Sequence, residues 1–544
     1  MVNPAVPGTV PKFVDPLPIP EVLQPAGWER GRPLFRVRML QVQQQLHRDF
    51  PPTTVWGYEG RYPGPTFEVR RGRPIRVQYL NELPSAHLLP VDTSVHGAEA
   101  FRPQVRTVVH LHGGNVPPEF DGHPEAWFAP GLAEAGPSFT TNVFEYPNRQ
   151  PSTTLWYHDH AVGITRLNVY AGLAGFYLIR SEAERQLGLP SGSFEIPLVI
   201  QDRTFNSDGS LFYPQEIVPE FFGNTILVNG KVWPFLNVEP RRYRLRFLNG
   251  SNARFYDLQF EPVLPVVQIG VDGGFLRRPV STTSLLLAPA ERADVIVDFT
   301  GMEGATFTLR NTAPAPYPGG EPPDEHTSEV IQFRVVLPLS GPDRSHIPSK
   351  LPRSLVLDPC QAVRTRDVTL NERVDHQGRV LPLLGSRGLS GRPSPLRWGD
   401  SVTEAPRLNT VEIWRVINTT EDSHPIHLHL VRFLILDRQP FDVSRFVDTG
   451  ELVFTGPASP PEATEAGPKD TMRANPGQVT RLIARFGDYP GDFVWHCHIL
   501  EHEDHEMMRR YQVVGSRRPT EARDDDEAED VEEDNDDDDD DQED

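Results

Sequence analysis

The chain has 544 residues. This length is too great for one hydrophobic core and suggests about three domains. Hydrophobic residues make up 38% and charged residues 24% of it, as in soluble globular proteins, and no apolar run reaches the roughly 20 residues that span a bilayer. The formal net charge is -22, but the 17 acidic residues of 524–544 account for most of it and leave -5 for the rest, with no basic patch that would indicate nucleic-acid binding.

The N-terminal residues 1–20 read MVNPAVPGTVPKFVDPLPIP. They contain neither the basic segment nor the apolar segment of a secretory signal, and no twin-arginine pattern occurs. We therefore expect a cytoplasmic protein, unless an assembly carries it outward.

Short β-type runs, punctuated by 56 prolines and 42 glycines, follow along the chain, for example TVVHLHG, AGFYLIR, YRLRFLN and VEIWRVIN. Long amphipathic helices are scarce, so the pattern predicts an all-β protein built from β-sandwich domains. Loose stretches near 180–190 and 340–375 predict the boundaries. We predict domains at 1–182, 183–345 and 346–515, and the two HLH sequences near 110 and 427 indicate that the first and third are related.

The last segment, 516–544, is dominated by aspartate and glutamate and cannot bury an apolar face. It is predicted to be disordered. A solvating tail is the favoured interpretation. A weak collector of divalent cations is the alternative, because clustered carboxylates suit hard cations.

Ten of the 18 histidines fall in four tight groups, and each group contains a His-x-His pair. Residues i and i+2 of a strand point to the same face, so each pair places two imidazoles side by side. One such pair is weak evidence, but four predict a cluster of several metal ions. The groups are His110 and His112; His158 and His160; His424, His427 and His429; and His496, His498 and His502.

Cys497 lies between His496 and His498, and in a strand it must face away from both. It would then bind a different metal from its neighbours, and the backbone would join the two sites. A thiolate, two histidines and a long axial methionine form a blue-copper electron-transfer site. The sequence supplies all four as Cys497, His424, His502 and Met507.

These motifs resemble the multicopper oxidases, in particular the branch of bacterial spore-coat laccases and bilirubin oxidases. The resemblance runs from KFVDPLPIPEVL to about residue 514 and includes PGPTFEVRRG, DGHPEAWF, TILVNGKVWP, HPIHLHLVRF and WHCHILEHEDHEMM. It implies three cupredoxin-like Greek-key β-sandwich domains, with a trinuclear copper cluster between the first and the third. It also implies a location on a cell surface or spore coat as the alternative to the cytoplasm.

The resemblance implies four coppers per chain and a role for each ligand. The type 1 copper would be held by His424, Cys497, His502 and Met507. The type 2 copper would be held by His110 and His427. The type 3 pair would be held by His112, His158, His160, His429, His496 and His498. The implied reaction couples four one-electron oxidations of a reductant to the reduction of O2 to water.

Reduction of O2 consumes protons, and two carboxylates match acidic positions near the cluster in relatives. Asp121 follows the first histidine pair, and Glu503 is adjacent to His502. We interpret both as a proton relay. The alternative is that Asp121 is a turn residue before Gly122 and that Glu503 is a surface acid.

Thr420, Glu421 and Asp422 precede His424 and are predicted to form the rim where substrate donates its electron. The leading hypothesis is a monomeric, laccase-like oxidase of phenols, aromatic amines and bilirubin-type tetrapyrroles, with O2 as acceptor and with neither a nucleic-acid nor a membrane partner. A metallo-oxidase of Mn²⁺ or Fe²⁺ is the second hypothesis. A coat or copper-sequestering protein with incidental turnover is the third.

Overall fold

The computed structural model describes residues 10–352, 355–375 and 377–515. Its strands form six sheets, two in each of three successive parts of the chain, so the predicted all-β cupredoxin architecture is confirmed. The predicted acidic tail at 516–544 lies outside the described residues. Within the described part of the chain, no helix combines the length and the apolar character that crossing a membrane requires.

The first sandwich consists of a sheet in the order β1-β2-β5-β7, with β3 also on β2, and a second sheet in the order β4-β9-β8-β6. Its strands are β1 (Gly27–Glu29), β2 (Arg32–Gln44), β3 (Thr53–Tyr58), β4 (Gly64–Arg70), β5 (Ile75–Asn81), β6 (Val109–His112), β7 (Val143–Tyr146), β8 (Thr153–Asp159) and β9 (Ala174–Arg180), with 3-10 turns at Pro118–Phe120 and Pro130–Leu132 and helix α1 at Thr165–Ala171.

The second sandwich pairs a sheet in the order β12-β11-β10-β14-β19-β16-β17 with one in the order β13-β21-β20-β15-β18. Helix α2 (Glu182–Arg185) and a 3-10 turn at Gly192–Phe194 lead into it. Its strands are β10 (Glu195–Arg203), β11 (Thr225–Val228), β12 (Lys231–Val232), β13 (Phe235–Val238), β14 (Arg242–Asn249), β15 (Tyr256–Glu261), β16 (Val266–Val271), β17 (Gly274–Thr282), β18 (Leu285–Leu287), β19 (Arg292–Asp298), β20 (Thr306–Asn311) and β21 (Glu329–Val335).

The third sandwich pairs a sheet in the order β24-β23-β22-β25-β29-β27 with one in the order β28-β26-β30-β31. A 3-10 turn at Pro359–Gln361 precedes it. Its elements are β22 (Ala362–Val374), β23 (Val380–Arg387), β24 (Pro393–Pro395), β25 (Thr410–Asn418), β26 (His424–Leu428), β27 (Phe433–Pro440), α3 (Val443–Thr449), β28 (Thr471–Ala474), β29 (Gln478–Phe486), β30 (Gly491–Cys497), α4 (Leu500–Asp504) and β31 (Met508–Val513).

Strand β8 shows how the sequence positions histidines without losing the core. Its sequence TTLWYHD is buried on both faces, so alternate residues have different surroundings. Leu155 and Tyr157 join the main hydrophobic core of the first two sandwiches. Trp156 and His158 point to the other face, where their rings stack with centroids 4.2 Å apart. The same strand therefore supports the sandwich and supplies a candidate ligand.

Helices α1 and α4 join the first sandwich to the third. The carboxylate of Asp504 accepts hydrogen bonds from the backbone N–H groups of Thr165 (3.1 Å) and Arg166 (2.9 Å) at the start of α1. The Arg166 guanidinium also contacts it at 2.9 Å, and both side chains are buried. A negative charge at a helix N-terminus is favourable, so this pair fixes the angle at which α4 meets α1.

This junction gives a stability prediction. Arg166→Met removes the cation and leaves Asp504 buried without it, so we expect the free energy of unfolding in guanidinium chloride to fall by about 3–5 kcal/mol. Arg185→Met is the matched control, because Arg185 pairs with Glu182 on the exposed surface. We expect no measurable change for it. Equal losses for the two variants would contradict the proposed junction.

Candidate metal centre

Eight of the predicted ligands converge between the first and third sandwiches. Within three sets, the candidate ligand atoms lie within 4.8 Å of one another, and every member is buried. The sets are His110, His112 and His427; His112, His158 and His498; and His160, His429 and His496. Their members come from β6 and β8 of the first sandwich and from the β26 and β30 regions of the third.

Strand register explains the convergence. In the first sandwich, β6 and β8 are antiparallel neighbours with His110 opposite His158. In the third, β26 and β30 are antiparallel neighbours with His427 opposite His496. Each pair of strands therefore presents a row of imidazoles, and the two rows face each other.

One set directs three nitrogens at a common point. The Nε2 atom of His429 lies 3.1 Å from Nε2 of His160 and 3.3 Å from Nε2 of His496. The opposite nitrogens are held by carboxylates: Nδ1 of His429 is 2.7 Å from Asp121 Oδ2, and Nδ1 of His160 and of His496 are 3.1 and 3.0 Å from Glu503. Nδ1 of His496 also lies 3.0 Å from the Cys497 carbonyl oxygen. With a proton on each Nδ1, the three Nε2 lone pairs are free to bind a metal.

A second set contains buried nitrogens that lack hydrogen-bond partners among the described residues. They are Nδ1 of His112, Nε2 of His158 and both ring nitrogens of His498. A buried polar atom without a partner costs about 1–3 kcal/mol. A metal ion bound between these nitrogens would remove that cost, so the donor set fits one.

The remaining pair, His110 and His427, places its Nε2 atoms 3.4 Å apart. Each ring donates its Nδ1–H to a backbone carbonyl, that of Asp121 at 2.5 Å and that of Asp470 at 2.8 Å. Both hydrogen bonds fix the tautomer that leaves Nε2 available.

A separate set surrounds Cys497. Its Sγ lies 3.6 Å from Nδ1 of His424 and 3.7 Å from Nδ1 of His502, and the two Nδ1 atoms are 3.3 Å apart. Met507 is fully buried in the same hydrophobic cluster as Cys497. The set thus gathers on the opposite side of β30 from His496, in agreement with the strand alternation.

Burial keeps the imidazoles in the neutral form that metal binding requires. It lowers the pKa of His424 to about 3 and that of His110, His427 and His429 well below the ordinary value, so the imidazoles are neutral. Burial also raises the pKa of Cys497 well above that of a free thiol. A soft metal cation at this position would stabilise the thiolate.

Asp121 and Glu503 are both buried, so the interpretation of Glu503 as a surface acid is wrong. Burial raises the pKa of Asp121 well above its usual range. Burial opposes ionisation of Glu503 too, but the imidazoles of His496 and His160 outweigh it and hold the pKa of this carboxyl well below its usual range. Asp121 also ends the Pro118–Phe120 turn before Gly122, so it is both a turn residue and a neighbour of the cluster histidines.

At the predicted substrate rim, the Thr420 hydroxyl lies 2.7 Å from Nε2 of His424. Glu421 is exposed and Asp422 half-buried, and the charge of Asp422 acts on two further acids that the sequence pattern did not predict. Burial, followed by the charge of Asp422, raises the pKa of Glu220 well above its usual range. Burial, Asp422 and Glu421 also raise the pKa of Glu372. Glu220 and Glu372 belong to other parts of the chain, so no local pattern could have found them.

Comparisons with known proteins agree with this geometry. Family models described as multicopper oxidase match residues 41–105 and 102–184, 185–332 and 376–516. A laccase of Bacillus subtilis (strain 168) is 48% identical over 93% of this chain and 99% of its own, and a laccase of Haloferax volcanii is 42% identical over 93% and 86%. The crystal structure of a laccase from Pediococcus acidilactici Pa5930 has a TM-score of 0.72 and 28% identity over 93% of this chain and 95% of its own.

The Cys497 site gives a prediction about colour and metal content. Copper-loaded protein should be blue and hold four coppers per chain. Cys497→Ser should abolish the blue absorption and the oxidase activity and lower the copper content to about three, because the thiolate is the defining ligand of a blue site.

The matched control is Cys360→Ser, which replaces the other cysteine, an exposed one. Visible absorption, metal analysis and O2 consumption measure the outcome. A blue Cys497→Ser protein, or a colourless Cys360→Ser protein, would refute the site.

Proposed function

Because the chain belongs to the multicopper oxidase family and is a laccase-like, copper-dependent oxidase, we propose a role in that chemistry for each ligand described above. His424, Cys497, His502 and Met507 would hold the type 1 copper, His110 and His427 the type 2 copper, and His112, His158, His160, His429, His496 and His498 the type 3 pair. Bound copper would supply one-electron redox chemistry, so that four one-electron oxidations of a reductant balance the reduction of O2, with four protons, to two waters.

One observation carries the proposal. Cys497 contacts His424 and His502, while its chain neighbour His496 faces His160 and His429. One residue step of backbone therefore connects the site that accepts electrons with the site that reduces O2. Substrate and O2 react at separate places, and the short covalent path allows fast electron transfer between them.

Protons reach O2 through the carboxylates that hold the ligand imidazoles. Glu503 contacts His160 and His496, and Asp121 contacts His429 by its carboxylate and His110 by its carbonyl. Each is at the edge of the cluster and contacts no lysine or arginine among the described residues. We assign to both the transfer of protons to the cluster: Asp121, with its raised pKa, as a general acid, and Glu503, with its lowered pKa, as a carboxylate that accepts a proton and passes it on.

The substrates follow from the rim. His424 is buried behind Thr420, and the half-buried aromatic Phe222 packs against the cluster of residues that contains Cys497. An aromatic reductant can stack there without reaching the copper itself. Phenols and aromatic amines fit this surface best, and bilirubin-type tetrapyrroles are a larger member of the same class. Their rates of O2 consumption on copper-loaded protein test the assignment.

The group of acids at the rim favours a second candidate function, oxidation of Mn²⁺ or Fe²⁺. Glu220, Glu372, Glu421 and Asp422 are close enough to raise one another's pKa in three of the four cases. Carboxylates held together against their repulsion attract a divalent cation. The cation would donate its electron through His424, which follows Glu421 by three residues and Asp422 by two.

We also propose that the protein acts as a monomer, since all the assigned ligands come from one chain and none requires a second copy. Association with a spore coat or another cell surface remains a prediction. Gel filtration of copper-loaded protein tests the first statement.

The proton role predicts separable half-reactions. Glu503→Gln and Asp121→Asn should slow O2 reduction by roughly 100-fold or more, since general acid–base groups contribute about 10²–10⁴-fold. Anaerobic bleaching of the blue copper by substrate should stay nearly unchanged. Stopped-flow absorption measures both half-reactions.

Glu404→Gln is the matched control, because Glu404 is a buried acid in the same sandwich as Glu503 and contacts no ligand histidine among the described residues. It should leave both half-reactions intact. If the Glu503 and Asp121 variants slow both half-reactions equally and contain less copper, the carboxylates hold ligands and do not carry protons.

The rim acids predict a change in substrate preference. Glu421→Gln with Asp422→Asn should lower kcat/KM for cationic amines and Mn²⁺ on the order of 10-fold at low ionic strength, and should raise it for anionic dyes. The effect should fade with salt, which screens exposed charges over about 10 Å.

Glu220→Gln should change the preference in the same direction but by less, because the raised pKa of Glu220 reduces its charge. Deletion of 516–544 is the control: it removes 18 acids far along the chain from His424 and should change the preference less. If the deletion changes the preference more than the rim variants do, the cation site lies in the tail. If no variant changes the preference, substrate choice has no electrostatic basis.

A further inference from the structure

The orientation of His112 differs from that of the other cluster histidines whose contacts are known. His110, His158, His427, His429 and His496 all use Nδ1 for a contact with protein and keep Nε2 for the cluster. In His112 the contact with protein is made by Nε2, and the free nitrogen is Nδ1. Something in the protein must select this opposite tautomer.

The contact belongs to Asp470, a fully buried aspartate that precedes β28. Its Oδ1 lies 3.1 Å from Nε2 of His112, and the Thr471 hydroxyl lies at 3.1 Å from the same nitrogen. The backbone carbonyl of Asp470 also accepts the Nδ1–H of His427 at 2.8 Å. One residue thus contacts two ligand histidines from two different sandwiches.

Arg292 fixes the carboxylate of Asp470. Its guanidinium donates to Oδ1 at 2.9 Å and, through its other terminal nitrogen, to Oδ2. It also donates to the carbonyls of Thr154 and Ala290 at 3.0 and 2.6 Å, so it cannot turn away. A fork held at both ends makes both oxygens of Asp470 acceptors, and an acceptor at Oδ1 requires a proton on Nε2 of His112.

Further charges extend the network between the second and third sandwiches. Asp272 contacts Lys469 at 2.9 Å, Lys469 contacts Glu291 at 2.7 Å, and all are buried. Space on the side of the first sandwich is equally restricted, because a Cβ at Gly113 would lie 2.4 Å from Asp470 Oδ2. The carboxylate therefore has one position available to it.

We propose that Asp470, held by Arg292, is a positioning residue that keeps His112 protonated on Nε2 and directs its Nδ1 lone pair at the point shared with His158 and His498. The proposal rests on the assignment of His112 as a type 3 ligand. It predicts that Asp470 controls occupancy of the copper pair without touching the metal, while the blue site around Cys497 is unaffected.

The decisive variant is Asp470→Asn. An amide has one acceptor, and the oxygen is drawn to the Arg292 nitrogen with the closer contact, which leaves the NH2 group facing His112. His112 would then carry its proton on Nδ1, where the copper should bind. Loss of such a partner costs roughly 10- to 100-fold in metal affinity. We expect less copper per chain and loss of the pair's magnetic coupling, seen by metal analysis and electron paramagnetic resonance, with the blue absorption retained.

Asp272→Asn is the matched control, because it removes the same charge from the same buried network and contacts no ligand histidine in the structure. Its copper content and spectra should equal those of the wild type, although the melting temperature of the copper-free protein should fall for both variants. Arg292→Lys keeps the charge but loses the fork and should show a weaker form of the Asp470→Asn result. It decides the question if Asp470→Asn does not fold.

Full copper occupancy and a coupled pair in Asp470→Asn, or equal copper loss in Asp272→Asn, would overturn the proposal. Measurements on the wild-type protein distinguish failure of the positioning role from failure of the ligand assignment. If wild-type protein itself contains no coupled copper pair, the assignment of His112 is wrong. If it contains the pair and Asp470→Asn does too, only the positioning role is wrong.

Discussion

The structure depends on keeping many imidazoles neutral and close together inside the protein. Eight histidines from two sandwiches share one buried volume, and charged rings at such distances would repel one another strongly in a medium of low polarity. Burial lowers the pKa of rings such as His110, His112 and His158 and reduces that repulsion, but it leaves nitrogen lone pairs without partners, such as Nε2 of His158. Metal binding supplies the missing partner. The sandwiches and their junctions therefore serve to hold an arrangement that is unfavourable until the metal is present.

Neutral rings still need a fixed tautomer, and for most of the cluster histidines the protein fixes it through the nitrogen that faces away from the cluster. Backbone carbonyls do this for His110 and His427, where the strands already place an acceptor at the right distance. Carboxylates do it for His160, His429 and His496. Each carboxylate introduces a charge into the interior, so the number of such contacts is a compromise between precise orientation and the cost of burial.

Much of this site could be predicted from the sequence, because its ligands lie at the spacing that a strand dictates. His496, Cys497 and His498 follow the two-residue period of β30, so their division between two metal sites needed no tertiary information. Asp470, Arg292 and Glu220 could not be found in this way. Their roles arise from contacts between residues that are distant in the sequence, 178 positions for Arg292 and Asp470 and 358 for Asp470 and His112, and no local period records such a contact. The burial of Glu503 could not be predicted either, because an acid next to a ligand on a short helix has the same sequence pattern whether it is buried or exposed.

Three acids contact the cluster histidines: Asp121, Asp470 and Glu503. They differ in whether an arginine pairs with them, and this difference indicates their roles. Asp470 receives two guanidinium nitrogens from Arg292, so its charge is already compensated and a proton would have to displace a fixed donor. Asp121 and Glu503 have only imidazoles as charged or chargeable partners among the described residues. Their protonation can therefore change without displacing a fixed cation. An aspartate locked by arginine suits a constant orientation, and an acid facing only imidazoles suits a variable proton. The sequence gives all three the same chemical group, and the presence or absence of one arginine separates their functions.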